Sequence, residues 1–202
     1  MKTLHFVRHG ESEWHKENRY AGHTDIKLTA EGLAQAELLV SWASEVQPSI
    51  IYSSDLCRAT ETARLMADHL GVNLVIDSRL REVNFGAIEG LTPEEMESRY
   101  PKLRKDFLNK PADTKMPGGE SGREALARAL PLINEIIKSK DIGEVIIVCH
   151  GTLMRLISCK LLDIDVNEYR RTFPKISNIG KISLGIELFE GDTEKHSKVV
   201  LI

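Results

Sequence analysis

The stretch Phe6-Val7-Arg8-His9-Gly10-Glu11-Ser12 decides the fold of this chain. An apolar run that is typical of a buried strand ends in an Arg-His pair, and a glycine then turns the chain away. The same pattern recurs in Val145-Ile146-Ile147-Val148-Cys149-His150-Gly151. Groups at the carboxyl ends of parallel strands converge on the ligand crevice of an open α/β sheet. We therefore expect His9 and His150 to face each other beside Arg8, in a site for an anion.

The composition excludes several classes of protein. Of 202 residues, 42% are hydrophobic and 28% are charged, and the net charge of −3 gives no basic face for nucleic acid or anionic lipid. Cys57, Cys149 and Cys159 are an odd number without Cys-x-x-Cys spacing, which argues against a disulfide framework or a zinc site. No apolar run is long enough for a membrane span, and the start of the chain is unlike a signal peptide. We expect a soluble, cytoplasmic protein without nucleic-acid or membrane partners.

The first third of the chain alternates between strand and helix signals. Strands are predicted at residues 2–7, 50–52 and 74–76. A first helix begins after its N-cap Thr29, carries Leu33 on its apolar face and stops at Pro48. A second helix covers 56–70, with Asp55 as its N-cap. This alternation predicts a parallel sheet with helices on both faces.

The rest of the chain is read in the same way. Its predicted elements are a helix in two pieces at 93–109, a loop at 110–119, a helix opened by a capping box of Ser121 and Glu124, a strand at 145–148, a helix at 150–162 and an edge hairpin of 181–188 and 198–201. No linker or low-complexity tract divides the chain, so one domain is expected over 1–202. The edge hairpin offers a surface for pairing two copies, and we expect a monomer or a homodimer.

Arg58 falls in the first turn of the second helix, where free N–H groups and a guanidinium both suit phosphate. Alone, it would be interpreted as an exposed helix residue, and a lone histidine after a strand as an ordinary turn residue. Because Arg58 follows a second strand end, it points at the same crevice as Arg8, His9 and His150. Two arginines and two histidines predict a pocket for a phosphoryl dianion.

The chemistry of such a pocket assigns further roles. Without a metal-binding motif, side chains have to neutralise the charge of a transferring phosphoryl group. One histidine has to be neutral and attack phosphorus, and the other can be protonated and stabilise the oxygens. The leaving alkoxide needs a proton from a carboxylic acid, for which Glu82 is the candidate and Glu89 the competitor.

Five motifs occur in order along the chain and resemble those of the histidine phosphatase superfamily, the phosphoglycerate-mutase-like proteins. They are Arg8-His9-Gly10-Glu11-Ser12, the segments 53–63, 80–90 and 117–121, and Cys149-His150-Gly151. The resemblance spans essentially the whole chain. It implies a three-layer α/β/α sandwich with a mostly parallel central sheet, and a phosphohistidine intermediate.

The same resemblance implies individual roles. His9 matches the nucleophile, and Glu82, rather than Glu89, matches the proton donor. The residues that match the phosphate pocket are Arg8, Arg58, His150 and Gly151. His15 stands where the family usually has an asparagine that contacts phosphate. It can donate a hydrogen bond, but its charge would vary near neutral pH, which affects phosphate affinity and the pH optimum.

Departures from the mutase pattern favour a phosphatase. Cofactor-dependent phosphoglycerate mutases carry Glu-Arg-His-Tyr-Gly where this chain has Glu82-Val83-Asn84-Phe85-Gly86. The insertion that follows is short here and lacks an adjacent arginine pair. The segments 19–29 and 117–121 resemble the α-ribazole-phosphatase and broad-specificity phosphatase branch.

The expected activity is therefore metal-independent hydrolysis of a small phosphate ester, either α-ribazole 5′-phosphate or a broad range of esters, without a cofactor. Gly22, His23 and residues 93–115 are expected at the substrate rim, together with His15. The first alternative is a phosphoglycerate mutase that depends on 2,3-bisphosphoglycerate. An alternative of another class is a non-catalytic module that binds a phosphorylated ligand. A metal hydrolase is disfavoured because no His-Glu-x-x-His or comparable cluster is present.

Overall fold

A mixed β-sheet forms the centre of the computed structural model, which describes residues 2–139, 143–173, 181–188 and 197–201. Its strands are β1 (Lys2–Arg8), β2 (Ile50–Ser53), β3 (Asn73–Ile76), β4 (Glu144–Cys149), β5 (Lys181–Leu188) and β6 (Ser197–Leu201). They lie in the order β3-β2-β4-β1-β5-β6, in which β1 to β4 are parallel and β5 and β6 pair antiparallel. The predicted mostly parallel sheet with an antiparallel edge pair is confirmed. The turn of the predicted hairpin lies outside the described residues.

Helices cover both faces of this sheet. They are α1 (Glu13–Lys16), α2 (Ala30–Val46), α3 (Cys57–Leu70), α4 (Pro93–Arg99), α5 (Pro101–Asn109), α6 (Gly122–Lys138), α7 (Gly151–Leu161) and α8 (Tyr169–Thr172). Side chains alternate between the faces of a strand. Val7 and Val148 therefore pack in one apolar core with α2 and α3, and Phe6 and Ile147 pack in the other with α6 and α7. This arrangement confirms the three-layer α/β/α sandwich.

The ends of the helices follow local chemistry. The Thr29 side chain accepts a hydrogen bond from the Gly32 N–H at the start of α2. Ser121 and Glu124 form the predicted capping box of α6. The chain leaves α3 through Gly71 with a φ of +65°, a conformation in which glycine carries no steric penalty.

Two local predictions were wrong. Asp55 does not cap α3, because the helix begins after Leu56 and the Asp55 carboxylate pairs with Arg81 at 2.7 and 2.5 Å. Asp25, from the loop before α2, accepts the hydrogen bond of the Cys57 N–H instead, at 2.7 Å. Leu33 is 43% exposed rather than buried. The residue of α2 that turns inward is its neighbour Gly32, where a Cβ would collide with the backbone of Glu11.

The register of the sheet sets the position of the site. Arg8 lies beside Cys149 in the β1–β4 pair, and Ser53 lies beside Val148 in the β2–β4 pair. The chain segments that follow these three strands therefore leave the sheet at one edge. None of the helices in the described ranges is long and apolar enough to cross a bilayer.

Candidate active site

His9 follows β1 and is held from both sides of its ring. It is 2% exposed, and its Nδ1 lies 2.7 Å from the carbonyl oxygen of Gly10. A carbonyl oxygen only accepts hydrogen bonds, so Nδ1 carries the proton. The Nε of Arg58 lies 3.3 Å from Nε2 of His9, and a guanidinium only donates. Both contacts place the lone pair of the neutral imidazole on Nε2.

Arg58 is completely buried at the start of α3. Its terminal nitrogens donate to the carbonyl oxygens of Gly22, at 2.7 Å, and of Thr24, at 2.9 Å. A Cβ at Gly22 would lie 2.6 Å from the Val83 carbonyl oxygen, so only glycine fits there. Gly22, expected at the substrate rim, is thus a buried support of Arg58.

His150 occupies the N-cap position of α7, directly after β4, and its side chain makes no capping hydrogen bond. Its ring centre is 5.0 Å from that of His9, and the side chain is fully buried. Both of its ring nitrogens are without a hydrogen-bond partner among the described residues. Buried polar atoms normally have partners, so these two nitrogens make His150 a candidate for contact with a ligand.

His15 lies on the other side of His9. The two rings stack with their centres 5.1 Å apart, and Nδ1 of His15 is 2.8 Å from the hydroxyl of Ser12. The nucleophile candidate therefore lies between two further imidazoles, His15 and His150.

Glu82 lies against the N-terminus of α7. One carboxylate oxygen accepts hydrogen bonds from the N–H groups of Val83 and Leu153, and the other accepts one from Thr152, each at 2.9 Å. The side chain of Glu82 is 6% exposed. The oxygen that accepts the bond from Thr152 can take part in one further hydrogen bond. His23, expected at the rim, lies behind it, with Nε2 3.0 Å from the Glu82 carbonyl oxygen.

Glu89, the competing carboxylate, is engaged in holding loops together. It accepts hydrogen bonds from the N–H groups of His23 and Thr24, both at 2.8 Å, and of Phe85 at 3.1 Å. Because it joins two segments that pack around Gly22, its role is structural.

A cavity of about 260 Å³ opens beside these groups. Its walls are formed by Arg8, His15, Asn18, Arg19, Tyr20, Ala21, Glu82, Phe85, Gly151, Thr152, Arg155 and Arg170. Gly151 lies against the Arg8 side chain, since a Cβ on it would be in ordinary contact with the Arg8 Nε at 3.4 Å.

Burial, and after it the positive charge of the pocket, lowers the pKa values of its imidazoles. Burial, reinforced by the arginines and neighbouring imidazoles, holds the pKa values of His9 and His150 well below their usual range. The pKa of His15 is lowered to about 3, by burial first and then by Arg8 and Arg58. The pKa of Arg8 itself is lowered to about 10, mainly by burial. These lowered pKa values disagree with the expectations that His150 can be protonated and that the charge of His15 varies near neutral pH.

Two arginines of the cavity wall were not predicted as site residues from the sequence. Arg155 lies one helical turn after Gly151, so helical spacing alone could have placed it on the same side of α7. Arg170 comes from α8, and no spacing connects it with the other site residues.

A neutral imidazole beside buried guanidinium groups, at the carboxyl ends of parallel strands, has the chemistry that suits a phosphoryl group. The chain belongs to the histidine phosphatase superfamily (branch 1), whose family model matches residues 4–187. It is a phosphatase of this type.

Relatives that carry different names are similar to this chain in sequence. Phosphoserine phosphatase 1 of Hydrogenobacter thermophilus is 32% identical over 169 residues, which are 84% of this chain and 80% of that protein. The Enterobacter protein named "Probable phosphoglycerate mutase GpmB" is 30% identical over 182 residues, which are 90% of this chain and 85% of that protein.

Solved structures share the fold. A mycobacterial glucosyl-3-phosphoglycerate phosphatase, in complex with VO3, has a TM-score of 0.87 at 27% identity, covering 100% of this chain and 98% of that one. The α-ribazole phosphatase of Shigella flexneri has a TM-score of 0.79 at 22% identity, covering 92% of this chain and 91% of that one. At that identity the likeness establishes the fold alone.

Proposed function

We propose that the protein hydrolyses the phosphomonoester of a small metabolite through a phosphohistidine formed on Nε2 of His9. The observation that carries this proposal is the tautomer of His9. Its Nδ1 proton is directed at the Gly10 carbonyl oxygen, 2.7 Å away, so the lone pair needed for attack is on Nε2. The name of the phosphoserine phosphatase relative supports hydrolysis of a small ester.

In the first step, Arg8, Arg58 and His150 hold the phosphoryl oxygens while Nε2 of His9 attacks phosphorus. The P–N bond forms and the bond from phosphorus to the ester oxygen breaks. Glu82, as the carboxylic acid, gives its proton to the leaving oxygen, which departs as an alcohol. The Nδ1–H group, bonded to the Gly10 carbonyl, stabilises the positive charge that develops on the ring.

In the second step, a water molecule takes the place of the alcohol. Glu82, now a carboxylate, accepts a proton from this water as its oxygen attacks phosphorus. The P–N bond breaks, inorganic phosphate leaves and His9 regains its neutral form. No metal enters these steps, and in the described ranges no three His, Cys, Asp or Glu side chains are grouped as a metal site requires.

In the experiment that tests this proposal, the enzyme reacts with a 32P-labelled ester and the reaction is quenched in acid or in alkali. We expect label on the protein that survives alkali and is lost in acid, as for a phosphorylated imidazole, and none in His9→Gln. The matched control is His69→Gln, on the exposed end of α3, which should label like the wild type. Turnover without labelled protein, or label retained in His9→Gln, would contradict the proposal.

A second candidate activity is phosphoglycerate mutation, because the Enterobacter relative carries that name. A mutase would convert 3-phosphoglycerate to 2-phosphoglycerate and would need 2,3-bisphosphoglycerate as primer. The hydrolase that we propose releases inorganic phosphate at the same rate with or without the primer.

A further inference from the structure

The proposed steps leave two guanidinium groups of the cavity wall without a role. Arg155 lies on α7 and Arg170 on α8. Among the described residues, neither arginine has a carboxylate oxygen within 4.0 Å, so neither forms an ion pair there. Two like charges thus share one wall, and Glu82 is the carboxylate on that wall that acts on Arg155, without forming an ion pair with it.

The environment of Arg155 is unfavourable without a ligand. Its Nε is buried and has no hydrogen-bond partner in the described part of the chain. Burial lowers the pKa of its guanidinium, Tyr169 and Glu82 partly offset this effect, and the positive charge of Arg170 adds to it. A buried, unsatisfied donor costs stability unless something binds to it, so it points to a ligand group.

Arg170 is held in position for binding. Its guanidinium carbon lies 4.3 Å from the centre of the Phe107 ring, and its Nε donates to the hydroxyl of Tyr169 at 3.1 Å. Stacking and one hydrogen bond fix the plane of the group. Its terminal nitrogens make no hydrogen bond to any described residue, and they keep the donor geometry that suits an oxyanion.

Arg19 lies on the same cavity wall but differs in its partners. It pairs with Glu17 at 2.6 Å and Glu95 at 3.0 Å, and donates to the Gly90 carbonyl at 2.7 Å. Its charge is therefore neutralised within the protein. Arg155 and Arg170, in contrast, form no ion pair with any described residue.

We propose that Arg155 and Arg170 bind a second anionic group, a carboxylate or a second phosphate, on the alcohol part of the substrate. Along α7, Gly151 borders the proposed phosphate pocket. The N–H of Thr152 donates a hydrogen bond to Glu82, the group proposed to protonate the leaving oxygen of the ester. Arg155 follows one helical turn after Gly151. One helical turn rises about 5.4 Å, so the second anion lies a few bonds from the ester oxygen. This inference rests on the proposed hydrolase activity and specifies its substrate class.

The test compares matched pairs of esters by phosphate release. 3-Phosphoglycerate and glycerol 3-phosphate differ in one carboxylate, and fructose 1,6-bisphosphate and fructose 6-phosphate differ in one phosphate. We expect kcat/KM to favour the doubly anionic member of at least one pair by roughly tenfold to a hundredfold. The pair that shows the preference identifies the second anion.

Variants then assign the preference to its residues. Arg155→Gln and Arg170→Gln should each lower the kcat/KM ratio within that pair by roughly tenfold. The ratio is measured on one preparation, so a partly folded variant does not distort it. Arg171→Gln is the matched control, because Arg171 is next in sequence, 85% exposed and paired with Glu168, and the ratio should stay at the wild-type value.

The outcomes separate the two proposals. A wild-type ratio near one in both pairs, or a ratio that both arginine variants leave unchanged, overturns the second anion site while hydrolysis stands. If the wild type hydrolyses none of the esters, p-nitrophenyl phosphate included, the proposed hydrolase activity is overturned and this inference with it.

Discussion

The Nε of Arg58 donates to Nε2 of His9 across 3.3 Å, between two side chains that are 0% and 2% exposed. A cation that contacts the proposed attacking atom has two effects. It disfavours protonation of the ring, and it lies where a transferred phosphoryl group would need positive charge. The contact therefore links the protonation state of the imidazole to the binding of phosphate.

The first prediction concerns that link. Arg58→Lys should lower kcat/KM for p-nitrophenyl phosphate by roughly a hundredfold to a thousandfold, because a lysine cannot contact His9 and both loop carbonyls in one plane. Steady-state kinetics with a thermal melt would measure activity and folding together. Arg64→Lys, exposed on the same helix, is the control and should be unaffected. A variant within twofold of the wild type would remove Arg58 from phosphate binding.

The second prediction concerns the proton donor. Glu82→Gln should slow alkyl phosphates by roughly a hundredfold or more and p-nitrophenyl phosphate far less, since a nitrophenolate leaves without a proton. The comparison needs kcat for both ester types in the same preparation. Glu89→Gln, which loosens loop contacts, should reduce both by the same factor. Equal damage from Glu82→Gln would show that another group supplies the proton.

The sequence predicted the parts of the site that follow from strand periodicity. In each of β1 and β4 an apolar run that ends before a His-Gly pair indicates where the strand stops, and parallel pairing then sets Arg8 beside Cys149. His9 and His150 meet for that reason alone. Arg58 joins them because β2 lies directly beside β4.

Features that depend on tertiary contacts could not be predicted in this way. Asp55 has the chemistry of an N-cap, yet an ion pair with Arg81, 26 residues away, competes for its carboxylate. Arg155 and Arg170 reach one cavity from separate helices, and nothing in their local sequence records that meeting. Leu33 follows the helical pattern, but the close approach of Gly32 to Glu11 sets the rotation of α2.

The third prediction concerns the support behind Arg58. Gly22→Ala should lower the free energy of unfolding by about 1–3 kcal/mol and reduce activity, because its Cβ would meet the Val83 carbonyl oxygen at 2.6 Å and the Phe85 nitrogen at 2.8 Å. Urea unfolding at pH 7.5 measures the first effect. Gly143→Ala, where a Cβ meets nothing within 4 Å, should be neutral. A Gly22→Ala protein as stable and active as the wild type would mean that the loop carbonyls do not position Arg58.

The fourth prediction concerns pH. The pKa of His15 is about 3 in the folded protein, against 6.5 as its ordinary value. Between these two values the unfolded chain binds a proton at this position and the folded protein does not, so acid favours unfolding. The contribution of His15 to stability is complete above pH 6.5 and decreases as the pH falls, by at most about 1.4 kcal/mol per pH unit. His9 and His150, whose pKa values are also lowered, act in the same direction.

The variant His15→Asn separates the proton that His15 takes up on unfolding from those taken up by His9 and His150. An asparagine amide can keep the hydrogen bond to Ser12 but does not titrate. Urea unfolding between pH 4.5 and 8 should therefore give a shallower loss of stability in acid than the wild type shows, by up to one proton's slope. Above pH 7 the two curves should run parallel, which serves as the internal control. Parallel curves down to pH 4.5 would mean that His15 can take up a proton in the folded pocket, and that the arginines around it do not keep it neutral.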